Sequence, residues 1–92
     1  MDLPISKSED IYWKLIDNRV ILLHIDEAVM LQLDDTGTKI WHMIDGEKSG
    51  QEIVEYFIEG FEVERRKAEK DIRKFLKKLL KDETIVFKKR KE

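Results

Sequence analysis

Side chains able to act as ligands, bases or nucleophiles are few and scattered in this 92-residue chain. There are two histidines, His24 and His42, and no cysteine. No nucleophile stands at a recognisable spacing from a base and an orienting acid, so the pattern of acyl transfer is missing. His42 and Asp45, three residues apart, could offer two metal ligands from one helical face, but a third is not evident where a site needs three or four. Gly37, Gly46, Gly50 and Gly60 are dispersed, which leaves no glycine-rich loop to cradle a phosphate. An enzyme is therefore not expected, nor a cofactor. Binding chemistry remains: Arg66, Lys70, Arg73, Lys74, Lys77 and Lys81 recur at helical spacing and form a cationic band suited to an anionic partner.

The charge is unevenly divided. Residues 1–62 carry 14 acidic against 5 basic side chains, −9, and residues 63–92 carry 6 against 13, +7, which gives the net −2. A basic third helix in a winged helix-turn-helix could enter a DNA groove and contact phosphates. Against that reading, the acidic two thirds of the chain would repel a polyanion. The helix also has no Asn or Gln to read adenine. A winged-helix DNA-binding regulator is thus the second choice, and nucleic acid is not the favoured partner.

The elements that must position this band follow from periodicity. Residues 1–10, with Pro4, Ser6 and Ser8 among charges, read as a flexible arm. Three strand-like runs follow, Ile11–Ile16, Val20–Ile25 and Ala28–Leu33, broken at Asp17-Asn18-Arg19 and Asp26-Glu27, which suggests an antiparallel meander. Placing Ile21, Leu23 and Ile25 on one face with Val29, Leu31 and Leu33 makes that face wholly apolar. It requires a three-residue loop between the second and third runs. Val20, Leu22, His24, Ala28, Met30 and Gln32 then take the other face.

A first helix is expected from about Thr36 to Ile44, capped by Asp34 or Asp35 and stopped by Gly46. Ser49 with Glu52 forms a capping box for a second, with Ile53, Val54, Phe57, Ile58 and Phe61 at helical spacing and Gly60 at its end. Ala68, Ile72, Phe75, Leu76, Leu79 and Leu80 mark the core-facing stripe of a third helix. Thr84–Lys88 reads as a short wing strand, and residues 88–92 as a basic tail. Trp13 and Trp41 are expected to anchor the core. The fold class is α+β, winged helix-turn-helix-like, with one domain over residues 11–87. Without cysteine, and with no apolar run near the ~18 residues of a membrane span, a cytoplasmic protein with no membrane partner is expected.

The segment Leu33-Asp34-Asp35-Thr36-Gly37-Thr38-Lys39-Ile40-Trp41-His42-Met43-Ile44-Asp45-Gly46 resembles the signature of the PqqD-like family, roughly L-N-x-T-G-x-x-I-W-x-x-(I/L)-D-G. Asp34 stands where the family has Asn. Ser49 to Val54 resembles its T-V-x-E-I-V segment, and Asp71 to Leu79 its D-V-x-x-F-L-x-x-L segment. One departure is Asp82-Glu83-Thr84, where the family often has Gly after the third helix, so a less sharply turned helix end is expected. The family comprises RiPP recognition elements, which hold the leader peptide of a ribosomal precursor for modifying enzymes. What the resemblance implies is β-strand addition along the third strand, beside the third helix. Carried onto this chain, the leader-peptide-binding residues are Ala28, Val29, Met30, Leu31, Gln32 and Leu33 on the strand. On the helix they are Lys70, Arg73, Lys74, Leu76, Lys77 and Leu80, with Leu76 and Leu80 as a pocket floor. The implied partners are a precursor peptide and a maturation enzyme, such as a radical-SAM enzyme or a leader peptidase and cyclase. The resemblance does not say which flank of the third helix faces the strand.

Overall fold

The structure, a computed structural model, describes residues 3–26 and 29–88. Expectations for Ala28 and for the tail beyond Lys88 lie outside the described residues. Element order is β1 (Ile5–Lys7), β2 (Ile11–Ile16), β3 (Arg19–His24), β4 (Val29–Gln32), α1 (Asp35–Met43), α2 (Gly50–Phe61), α3 (Arg65–Lys81) and β5 (Ile85–Phe87). The meander β2-β3-β4 is one antiparallel sheet and β1-β5 a second. Three helices follow the larger sheet, as expected for an α+β, winged helix-turn-helix-like fold.

A two-residue turn, Asp17-Asn18, joins β2 to β3 with both residues left-handed (φ 52° and 65°), the geometry that matches the twist of a hairpin. The next connection departs from expectation. His24 pairs with Val29, so four residues rather than three lie between β3 and β4. Paired residues share a face, and the longer loop reverses β3: Val20, Leu22 and His24 are buried, whereas Leu23 and Ile25 are exposed. Leu31 and Leu33 keep their place towards the helices, opposite Leu22 and Val20, and Gln32 stays outside opposite Ile21. The cost of the reversed register is a buried imidazole, whose Nδ1 has no hydrogen-bond partner among the described residues.

The expected flexible arm is, from Ile5 to Lys7, a strand paired with β5. Ile5 is fully buried. Its N–H donates to the Lys48 carbonyl (2.9 Å), and its carbonyl accepts from Gly46 N–H (3.0 Å). Gly46 is left-handed (φ 83°) in the link after α1, beyond the Ile44 cap rather than at the helix end itself. Lys7 Nζ donates to the Ile44 carbonyl (2.6 Å) and lies 5.1 and 5.5 Å from the ring centres of Trp41 and Trp13. Burial holds this ammonium below its ordinary pKa, partly offset by the Asp45 charge. Trp41 is fully buried as expected, whereas Trp13 is 40% exposed rather than a core anchor and meets Trp41 edge to face at 6.1 Å.

The helices obey their caps. Asp34 Oδ1 accepts from Gly37 N–H (2.7 Å), and Ser49 and Glu52 form the reciprocal capping box. Helix α2 runs past Gly60 to Phe61 and ends on a left-handed residue at Glu62 (φ 48°). After α3, Thr84 N–H bonds Leu79 O and Glu83 N–H bonds Leu80 O, the paired pattern of a Schellman close. The turn is therefore as sharp as with glycine, but Glu83 occupies the left-handed position (φ 62°).

Two outcomes follow from these ends. Glu83→Gly should raise unfolding free energy by about 0.5–1 kcal/mol, since relief of the left-handed Cβ contact exceeds glycine's entropy cost; urea denaturation reads it. Asp45 is held at a pKa of about 2, chiefly by the Lys48 ammonium and also by the Glu47 and Lys48 N–H groups. A depressed carboxylate stabilises the fold above the ordinary carboxylate range, and that share is lost as pH falls from about 4 to about 2. Asp45→Asn should flatten the stability profile over that window.

Candidate functional site

Strand β4 is paired on one side only; among the described residues no strand covers its other edge. Leu33 N–H donates to Val20 O (2.9 Å), which fixes the alternation. Leu31 and Leu33 turn their backbone groups towards β3, so Met30 and Gln32 present theirs at the open edge. Their side chains lie on the sheet face away from the helices, where Met30 is 73% exposed. That outer face is largely apolar, with a concavity lined by Tyr12, Lys14, Ile16, Ile21, Leu23 and Met30 among others.

Helix α3 supplies the wall on the other side. A Cβ added at Gly37 would stand 3.1 Å from Phe75 Cζ and 3.3 Å from Leu33 Cβ. Phe75 therefore packs into the strand-to-helix junction that follows β4, and the flank of α3 carrying it is the one beside that strand. A shallow hollow along this part of the helix is lined by Asp71, Lys74, Phe75, Lys77, Lys78 and Lys81. Asp71 also borders a cleft of about 350 Å³ between α1, α2 and α3, lined by Thr36, Phe57, Val63, Lys67, Ala68 and Ile72 among others.

The residues expected on α3 divide. Leu76 is fully buried in the core and Leu80 half-buried against it, so Leu76 offers no accessible pocket floor. Arg73 is on the far flank, bonded to the Gln51 side chain of α2 and paired with Glu69 (3.3 Å). Lys70 is exposed beside Arg66 in another hollow. Lys74 and Lys77 lie on the hollow by Phe75. Asp71, Phe75 and Lys78, which the sequence does not single out for this site, line the same hollow. The available signal was Gly37, whose missing Cβ implies that something approaches closely. Among the described residues no group of three or more His, Cys, Asp or Glu is arranged for a metal. None of the described helices is long and apolar enough to cross a membrane.

A family model described as coenzyme PQQ synthesis protein D (PqqD) matches residues 19–85. The chain belongs to the PqqD family. Among solved structures, this PqqD-family chain is similar to TbiB1 in complex with the TbiA(beta) leader peptide, at 29% identity and a TM-score of 0.79, over 92% of this chain and 99% of that one. It is also similar to a lasso peptide synthetase B1 complexed with the leader peptide, at 23% identity and a TM-score of 0.76, over 89% and 96% of the two chains. No curated protein sequence matches significantly. Within the PqqD fold, Gly37 sets how closely α3 approaches the end of β4. Gly37→Ala should gain about 1 kcal/mol of helix propensity but lose about 2 by overpacking against Phe75, Leu33 and the Asp34 cap. A net loss of about 1 kcal/mol in chemical denaturation is expected.

Proposed function

We propose that this chain is a RiPP recognition element that binds the leader segment of a ribosomally made precursor by strand addition and delivers it to modifying enzymes. The observation that carries this reading is the open edge of β4 running beside the Phe75 flank of α3. Met30 and Gln32 offer main-chain donors and acceptors to an incoming strand, while Leu31 and Phe75 offer apolar contact to every second residue. The TbiB1 structure, similar over nearly all of both chains, holds a leader peptide, which supports the same class of ligand here. The family's maturation systems suggest a radical-SAM enzyme or a leader peptidase as the enzyme partner, and this chain then acts in the cytoplasm without catalytic activity of its own.

The proposed site comprises β4, Val29–Gln32, and Leu33 after it, with Lys74, Lys77 and Lys78 bordering it. Lys70, Arg73 and Leu80 act from the other flank by field or by packing. An affinity of about micromolar or tighter is expected, because one augmented strand with a few side-chain anchors must offset the ordering of a disordered peptide. The cationic face of α3 also favours duplex DNA as the second reading, which salt-dependent binding to DNA without leader binding would select.

Proline scanning with calorimetry against the co-encoded precursor peptide tests the edge. Met30→Pro removes an outward N–H and should weaken binding about tenfold or more with little change in thermal unfolding. Leu31→Pro removes a donor facing β3 and should cost about 3 kcal/mol of stability. Unchanged affinity in a folded Met30→Pro variant would move the peptide away from this strand.

A further inference from the structure

Several cations form no ion pair among the described residues, and four of them share one hollow. Arg19, Lys48, Arg65 and Arg73 each meet a carboxylate, Asp35, Asp45, Glu55 and Glu69 respectively. The hollow beside Phe75 holds four lysines, 74, 77, 78 and 81, against the single carboxylate of Asp71. None of the four forms an ion pair among the described residues. This surplus lies along the flank of α3 that adjoins the open strand edge.

We infer that Lys74 and Lys78 select leader segments bearing a carboxylate side chain on the face turned towards α3. This rests on the strand addition proposed above. A strand laid on β4 sends every second side chain towards the helices, the side that Leu31 and Leu33 take. Such residues recur at about 6.6 Å along the strand, and Lys74 and Lys78 are about 6 Å apart along α3. One or two acidic residues at alternate positions therefore meet the lysines, while an apolar neighbour covers Phe75. The Phe75 ring lowers local hydration, so these contacts count for more than ion pairs in open water. An acidic peptide fits better than duplex DNA because the adjoining donors are those of a strand edge, spaced for main-chain pairing.

Selection from a displayed library of random decapeptides on the full chain tests the assignment. Wild type should enrich Asp and Glu at alternate positions at least threefold. Lys74→Glu with Lys78→Glu should lose that preference or turn it to Lys and Arg. Arg66→Glu with Lys67→Glu, the same change of net charge at the exposed start of α3, should keep it. A synthetic selected peptide should bind the first double variant about tenfold more weakly, with affinity recovered when its acidic residue becomes Lys. No acidic preference in wild type, preference surviving the Lys74/Lys78 reversal, or equal loss in the Arg66/Lys67 variant overturns the inference. Met30→Pro separates the two levels. Enrichment that persists there fails the strand-addition reading, whereas apolar enrichment without acidic preference in wild type fails only the lysine assignment.

Discussion

The groove depends on the packing of Leu33 and Phe75 around Gly37, where a Cβ would be crowded, braced by the hydrogen bond from Gly37 N–H to Asp34. Four residues at one junction do three things at once. They end the edge strand, start α1 with its cap satisfied, and admit the ring of α3 where any Cβ would crowd it. The gap between the open edge of β4 and the wall of α3 is set here. Thr38 adds a second tie, its buried hydroxyl accepting from Val20 N–H at 3.0 Å, so α1 is fixed to β3 as well as to β4. A groove made of a strand and a helix keeps its width only if the two are joined through something stiff. This packed junction is the stiff part.

The small sheet holds the opposite end. Ile5 and Ile85 are both fully buried, and each such side chain stabilises the fold by about 1.5–3 kcal/mol. Strand β1 also stitches the α1–α2 link through Lys48 and Gly46, and Lys7 covers the last carbonyls of α1 while lying against two indoles. A 92-residue chain has little core to spare. Pairing β1 with β5 beside the helix link closes that core without lengthening any element.

Electrostatics divides α3 into two flanks of different character. Towards α2 two of its cations are committed: Arg73 to Glu69 and Gln51, and Arg65 to Glu55 in a two-pronged bond at 2.8 and 2.9 Å. In the hollow by Phe75, Lys74, Lys77, Lys78 and Lys81 form no ion pair among the described residues. A committed guanidinium fixes the packing of two helices, whereas uncommitted ammonium groups leave a field directed outward, available to a partner's charge. The same helix thus carries committed guanidinium groups on one side and an outward positive field on the other.

Much was legible in the sequence because it is local. The Ser49–Glu52 box, the Asp34 cap, the α3 stripe and the Leu33–Gly46 signature each depend on residues within a few positions of one another, and propensity and capping act over that range. Three features were not legible. Strand β1 pairs with residues some eighty positions away, and three residues carry too short a pattern to announce themselves. The face of β3 turned on one extra loop residue, because a strand has period two and a single step exchanges its sides. Alternation alone could not choose, since both faces of Val20–Ile25 are apolar enough to be buried. Which lysines border the strand was decided by the rotation of α3 about its axis. That rotation is set by Phe75 entering the space left by Gly37, a contact between residues 38 apart that only the packed structure makes.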